Sequence, residues 1–219
     1  MRQTLTVVVS VLSLCFAWGL CSAQVFGNYA TARTVQAGKR VGGAYFTIAD
    51  DVLGLLGQFR CGYSDDADFG VQLGFNSTDS RVYRGGMFTE EGETHLLLGG
   101  DGKYNLRKAD EGMPVDVSVD FGAGYVDMEE SSRLLFSLSG QGGWTVETEN
   151  AKTLSPYVGL GVIVDRVSID TASGNLTDTD TDIEVRLGAA YLFSSGVSAI
   201  AELQTGDGTS FGVGLNVRF

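Results

Sequence analysis

The stretch that decides the fold is the last one, FGVGLNVRF, Phe211–Phe219. Phe211, Val213, Leu215, Val217 and Phe219 share one face, and Gly212, Gly214, Asn216 and Arg218 share the other. Strict period-two alternation is the mark of a strand with one apolar side. A soluble domain usually frays into polar residues at its terminus. Here the alternation runs to the final side chain, so the terminal residue belongs to the strand.

The same pattern recurs upstream. FGVQLGFN sets Phe69, Val71, Leu73 and Phe75 against Gly70, Gln72, Gly74 and Asn76. PVDVSVDFGAGY sets Val115, Val117, Val119 and Phe121 against Asp116, Ser118, Asp120 and Gly122. DIEVRLGAAYLF sets Ile183, Val185, Leu187, Ala189, Tyr191 and Phe193 against Glu184, Arg186 and Gly188. Period two predicts ten strands, at 40–48, 53–63, 69–76, 94–106, 114–126, 132–144, 156–166, 182–193, 197–205 and 209–219. The facing of the first, RVGGAYFTI, is ambiguous. Eight strands is the alternative count. Ten residues at about 3.3 Å each, tilted about 40–45°, rise about 25 Å, the height of an outer-membrane apolar band.

The N-terminus points to export. Met1-Arg2 precedes an apolar core, Thr6–Leu20, and then the small residues of Cys21-Ser22-Ala23, the order of a cleaved signal peptide. Leu20 before Cys21 argues against a lipoprotein. The expected division is a signal peptide over 1–23 and one barrel domain over 24–219. Cleavage would remove Cys15 and Cys21 and leave Cys61 alone, so no internal disulfide and no cysteine metal site is expected. Without Arg2 the chain holds 14 basic against 27 acidic residues. That balance argues against nucleic acid as a partner.

A one-sided strand suits a soluble sandwich as well as a membrane barrel. Three features favour the membrane. The non-apolar faces are rich in glycine and serine, which suit a crowded lumen. Of the 31 glycines, all but Gly19 lie beyond the signal peptide. Aromatic residues gather at one set of strand ends, namely Tyr63, Phe69, Tyr104, Trp144, Phe193 and Phe219, as expected of a membrane interface. Connections alternate between short (SDDAD, SSG) and long and polar (77–93, 169–181), with 145–154 and Asp207-Gly208 as exceptions.

On these residues, together with YATARTVQAGKRVGGAYF, SPYVGLGV and the terminal FGVGLNVRF, the chain resembles the small outer-membrane β-barrels of the OmpA, OmpX and OmpW kind. The resemblance implies a transmembrane, antiparallel, up-and-down barrel in the outer membrane of a diderm bacterium, surrounded by lipid and lipopolysaccharide. It also implies that Phe211, Val213, Leu215, Val217 and Phe219 are read by the barrel-assembly machinery.

Strand parity sends ten ionisable residues into the lumen. Arg60, Lys103, Arg133, Arg186 and Arg218 are set against Asp101, Asp116, Asp120, Glu184 and Glu202. Buried charges need partners, and parity suggests Glu184 and Arg186 facing Glu202, and Lys103 facing Asp116. The expected result is a polar plug filling a narrow barrel, hence a non-enzymatic structural or surface-contact protein. A small-solute channel is the alternative, and a lipid-modifying enzyme is disfavoured. His95, the sole histidine, has only Glu93 nearby as a partner and no adjacent nucleophile. TDTDTDIE places Asp178, Asp180, Asp182 and Glu184 on one face but lacks calcium-loop spacing, so it reads as a solvated acidic rim. GGDGKYN, Gly99–Asn105, lacks the spacing of a phosphate loop. The triplets at Asn76 and Asn175 match a glycosylation acceptor without further support. No cofactor and no metal is expected.

Overall fold

The computed structural model describes residues 29–49, 52–84, 87–109, 114–128, 131–148, 152–171, 174–193, 196–206 and 208–219. The signal-peptide reading lies outside them. The elements are β1 (Arg40–Ala49), β2 (Val52–Gly62), β3 (Ala67–Arg84), β4 (Met87–Arg107), β5 (Asp116–Met128), β6 (Ser131–Gly143), the two-residue β7 (Val146–Glu147), β8 (Thr153–Thr171), β9 (Gly174–Leu192), β10 (Val197–Thr205) and β11 (Thr209–Arg218). Each long strand pairs antiparallel with its neighbour in sequence. Two further ladders, β1 with β11 and β6 with β8, complete the ring. The result is a closed ten-stranded barrel, with β7 a short addition to β8 in the 145–154 connection. Closure leaves no open edge within the apolar band, where an unpaired backbone group would find no water.

The seam explains why the chain is apolar to its end. The Phe219 N–H donates to Arg40 O and the Arg40 N–H donates to Phe219 O, both at 3.0 Å. The ladder from Val41↔Arg218 to Ala49↔Ser210 continues from there.

Burial is inverted relative to a soluble protein. Phe46, Phe69, Leu73, Phe75, Leu98, Phe121, Leu138, Leu160, Ile183 and Leu215 are exposed, while Arg60, Lys103, Asp120, Glu184, Arg186 and Glu202 are buried. An apolar surface encircling the whole barrel far exceeds the patches that soluble monomers tolerate. It is satisfied by lipid, so the fold is a transmembrane barrel. The six aromatics noted above lie at the strand ends nearest Phe219, all with exposed rings. We call this the inner end, because the chain also enters there. In β1, Tyr45, Thr47 and Ala49 point inward, and Phe46 and Ile48 point outward.

Two expected loops are strands instead. Residues 77–84 and 87–93 continue the β3–β4 ladder to Arg84↔Met87, and 169–171 and 174–181 continue the β8–β9 ladder to Thr171↔Gly174. Both hairpins outrun their neighbours. Pairing of β3 with β2 ends at Val52↔Thr78, and pairing of β9 with β10 ends at Thr205↔Val185. Beyond Val185, β9 is held on one side only. There Asp178 Oδ1 accepts from its neighbour Thr179 N–H at 2.9 Å, and Asp180 Oδ1 accepts from Thr181 N–H at 2.7 Å.

Candidate functional site: the filled lumen

The inner mouth is occupied by the chain's own N-terminal segment, Tyr29–Gln36, which precedes β1. Side chains from three strands, β3, β4 and β6, hold its backbone. Lys103 Nζ on β4 donates to Thr31 O, and Gln141 Nε2 on β6 donates to Ala30 O at 3.0 Å. Val35 N–H donates to Asp68 Oδ2 on β3 at 2.6 Å. Thr34 Oγ1 donates to Asp65 O in the β2–β3 turn at 3.0 Å. Tyr29 stacks on Tyr45 of β1, with ring centroids 4.4 Å apart. A side chain at Gly212 on β11 would overlap the Tyr29 ring, so glycine there makes the seat for it. The chain then reverses at Gly38, whose φ of 73° suits glycine, and enters β1. Burial holds the Tyr29 phenol above its ordinary pKa, so the ring stays neutral in its seat.

Above the segment lies a belt of paired charges. Arg60 on β2 bridges Asp68 and Asp101, one guanidinium nitrogen to each. Gln58 Nε2 and Gln72 Nε2 add bonds to Asp101 Oδ1 at 3.4 and 3.3 Å. Lys103 lies 3.4 Å from Asp120 and 3.2 Å from Gln141 Oε1. Arg186 pairs with Glu184 on its own strand and, reaching along the wall over Gly159 and Gly161 of β8, donates to Ser139 Oγ on β6. Tyr157 OH donates to Glu202 Oε2 at 2.7 Å. Toward the outer end, Arg133 pairs with Asp165. Each ion removed from water costs several kcal/mol, which only close pairing and further hydrogen bonds offset. The belt supplies close pairs and hydrogen bonds from Gln58, Gln72, Gln141 and Ser139, while Asp165 Oδ1 and Glu202 Oε1 are buried without a hydrogen bond.

The expected pairings are corrected in three places. Lys103 faces Asp120, not Asp116, because the β4–β5 register sets Lys103 opposite Asp120. Asp116 instead accepts from Ala109 N–H at 3.0 Å, closing the turn. Glu202 lies opposite Gly188 in the ladder and takes its hydrogen bond from Tyr157, while Arg186 remains close enough to act on its charge. Arg218 is exposed at the inner rim, outside the belt. Asp68 and Asp165 are lumen acids that the sequence reading missed. Asp68 sits in what read as a turn, yet the outward facing of Phe69 implies it.

The lumen is also less polar than expected. Tyr45, Leu56, Leu97, Val126, Leu135, Tyr157, Ile163 and Ile200 point inward and join one buried cluster. Tyr157 closes over Gly188, where a Cβ would strike its ring. Between belt and cluster lies a cavity of about 50 Å³ bounded by Gln72, Asp101, Asp120, Leu135, Ile163, Glu184 and Arg186. That is room for water rather than for a solute.

The remaining motifs stand apart. His95 is buried in the lumen wall, with Glu93 at 3.6 Å. Gly99–Asn105 lies within β4. Among the described residues, no three His, Cys, Asp or Glu side chains are grouped to hold a metal ion.

No protein-family model matches the sequence, and no curated protein matches it. Solved structures do. The β domain of the Bordetella autotransporter BrkA aligns over 84% of this chain and 100% of its own, at TM-score 0.51 and 11% identity. The N-terminal β-barrel domain of Pseudomonas aeruginosa OprF aligns over 84% and 100%, at TM-score 0.38 and 15% identity. The KdgM porin aligns over 82% and 99%, at TM-score 0.41 and 7% identity. At such identities the likeness is one of fold, and the fold is the transmembrane antiparallel β-barrel.

Proposed function

We propose that this is an integral outer-membrane barrel, exported by a signal peptide cleaved after Ala23, with a closed lumen and a non-enzymatic structural or surface-contact role. Residues 24–219 form its single domain. Its surroundings are lipid and lipopolysaccharide, and its assembly partner is the barrel-assembly machinery, reading the apolar face that ends in Phe219. The observation that carries the closed reading is the Lys103 contact. A buried ammonium binds both Asp120 of the wall and the Thr31 carbonyl of the segment, so the stopper is tied to the belt. Refolded wild-type protein in a planar bilayer should show no conductance steps.

The second reading is a small-solute channel. It is favoured by how the segment is held, through side-chain bonds and one ring stack. A segment held in this way can leave without breaking the barrel. Regular conductance steps from wild type would make this the better reading.

A further inference from the structure

The cavity between belt and apolar cluster exists because β5 turns Gly122 and Gly124 inward, where side chains would fill it. Ser137 leans into the space over Gly122, where a Cβ would meet its Oγ at 2.7 Å. The wall is rich in oxygen. Asp101, Asp120 and Glu184 bring carboxylates, Ser137 a hydroxyl and Gln72 an amide. Gln72 is buried, and its amide is oriented by Nε2, which donates to Asp101 Oδ1 at 3.3 Å. That leaves Gln72 Oε1 buried without a hydrogen-bond donor. An acceptor so placed needs a positive partner.

The charges point the same way. The strands of the belt set Asp68, Asp101, Asp120, Glu184 and Glu202 against Arg60, Lys103 and Arg186, two more carboxylates than cations. Away from bulk water such a surplus is costly unless a further positive charge joins it.

We propose that the cavity is a site for a monovalent alkali cation, of the size of sodium, held by Gln72, Ser137, Asp101 and Glu184 with water completing its shell. Hard cations take oxygen ligands, and these four side chains come from β3, β6, β4 and β9. A divalent ion suits the cavity less. Among the described residues no three carboxylates converge as such an ion requires, and Asp101, Asp120 and Glu184 are each shared with Arg60, Lys103 or Arg186. A bare sodium ion is smaller than a water molecule, so a cavity of about 50 Å³ admits it with about one or two waters. The site lies in the wall of the folded barrel and does not depend on a surface-contact role.

The test is urea unfolding of the refolded mature barrel in micelles at fixed pH and ionic strength. Sodium chloride is exchanged stepwise for choline chloride, whose cation is too large for the cavity. Sodium should raise the unfolding midpoint along a saturating curve. Gln72→Met should weaken sodium about tenfold, which cuts the rise to about a third at about ten times the wild-type half-saturation concentration. Ser137→Val removes the hydroxyl and fills its place, and should act in the same direction. Each variant is first shown to be folded by its shifted migration on an unboiled gel. Asn at both Asp178 and Asp180 should leave the rise intact, because those acids are exposed at the outer rim. The proposal is overturned by equal midpoints in the two salts, the result for a cavity that holds water alone or a belt neutralised by protons. It is equally overturned if both folded lumen variants keep the full rise, or if the rim substitutions abolish it.

Discussion

Tyr29 lies flat on Tyr45, with ring planes 16° apart and centroids separated by 4.4 Å. One ring belongs to the segment in the mouth and the other to the first strand of the wall. Segment and barrel are therefore joined by an aromatic contact as well as by hydrogen bonds. Tyr29→Ala should remove burial and stacking worth about 2–3 kcal/mol. Urea unfolding in micelles should register part of that loss. Trypsin should also cut faster after Arg33 in the folded variant than in wild type. Unchanged cleavage would mean that the ring does not hold the segment.

Lys103→Met should be more damaging. It takes the ammonium away from buried Asp120 and the donor away from Thr31 O. Deleting one partner of a buried pair costs about 3–5 kcal/mol. Stability should fall by that order, and bilayer recordings should show openings absent from wild type. A quiet bilayer with the stability loss would place the seal in the belt above, not in the segment.

Arg186→Ala removes the partner of Glu184 and the donor to Ser139. A loss of about 3–5 kcal/mol in unfolding free energy is expected of a dry lumen. A loss under about 1 kcal/mol would match solvent-screened pairs and a wet one. The size of this change therefore separates plug from channel.

Gly188→Val should force the Tyr157 ring out of its place and weaken its bond to Glu202. Adding Tyr157→Ala to that variant should recover part of the stability, since the overlap then vanishes. A double mutant no better than the single would show that the close approach is not the cause.

Phe219→Ser tests the terminal residue. The ring is 62% exposed and touches Phe59 at a centroid separation of 6.1 Å. Its loss should therefore cost about 1 kcal/mol or less in refolded protein. The amount reaching the outer membrane should nevertheless fall sharply if the residue is read during assembly. Normal membrane levels would leave Phe219 with its backbone role at the seam.

The strands were legible because each separates two environments, and period two records which side chain meets which. The Leu55-Leu56 pair shows where that record blurs. Leu55 faces lipid and Leu56 the lumen, so the sequence alone understates how apolar the interior is. Partners of the buried charges were less legible, because register depends on how each turn closes. Strand β5 enters late enough to set Lys103 against Asp120, four residues beyond Asp116. The seating of the segment before β1 was not legible at all. YATARTVQ has no periodicity, and its bonds run from backbone groups to side chains remote in sequence. The long outer hairpins were misread because their polar composition resembles a loop, whereas pairing with each other suffices to keep them extended.

The outer run of β9 is a half-paired strand facing water, the kind of edge on which chains stack into aggregates. Its aspartates change what an approaching chain would meet. Asp178 and Asp180 turn back on Thr179 and Thr181 and occupy their N–H groups. A foreign strand would find those donors engaged and a row of negative charge beside them. The repeat TDTDTD thus works as a guard against unwanted company, letting a long hairpin stand clear of the membrane without becoming a template for fibres.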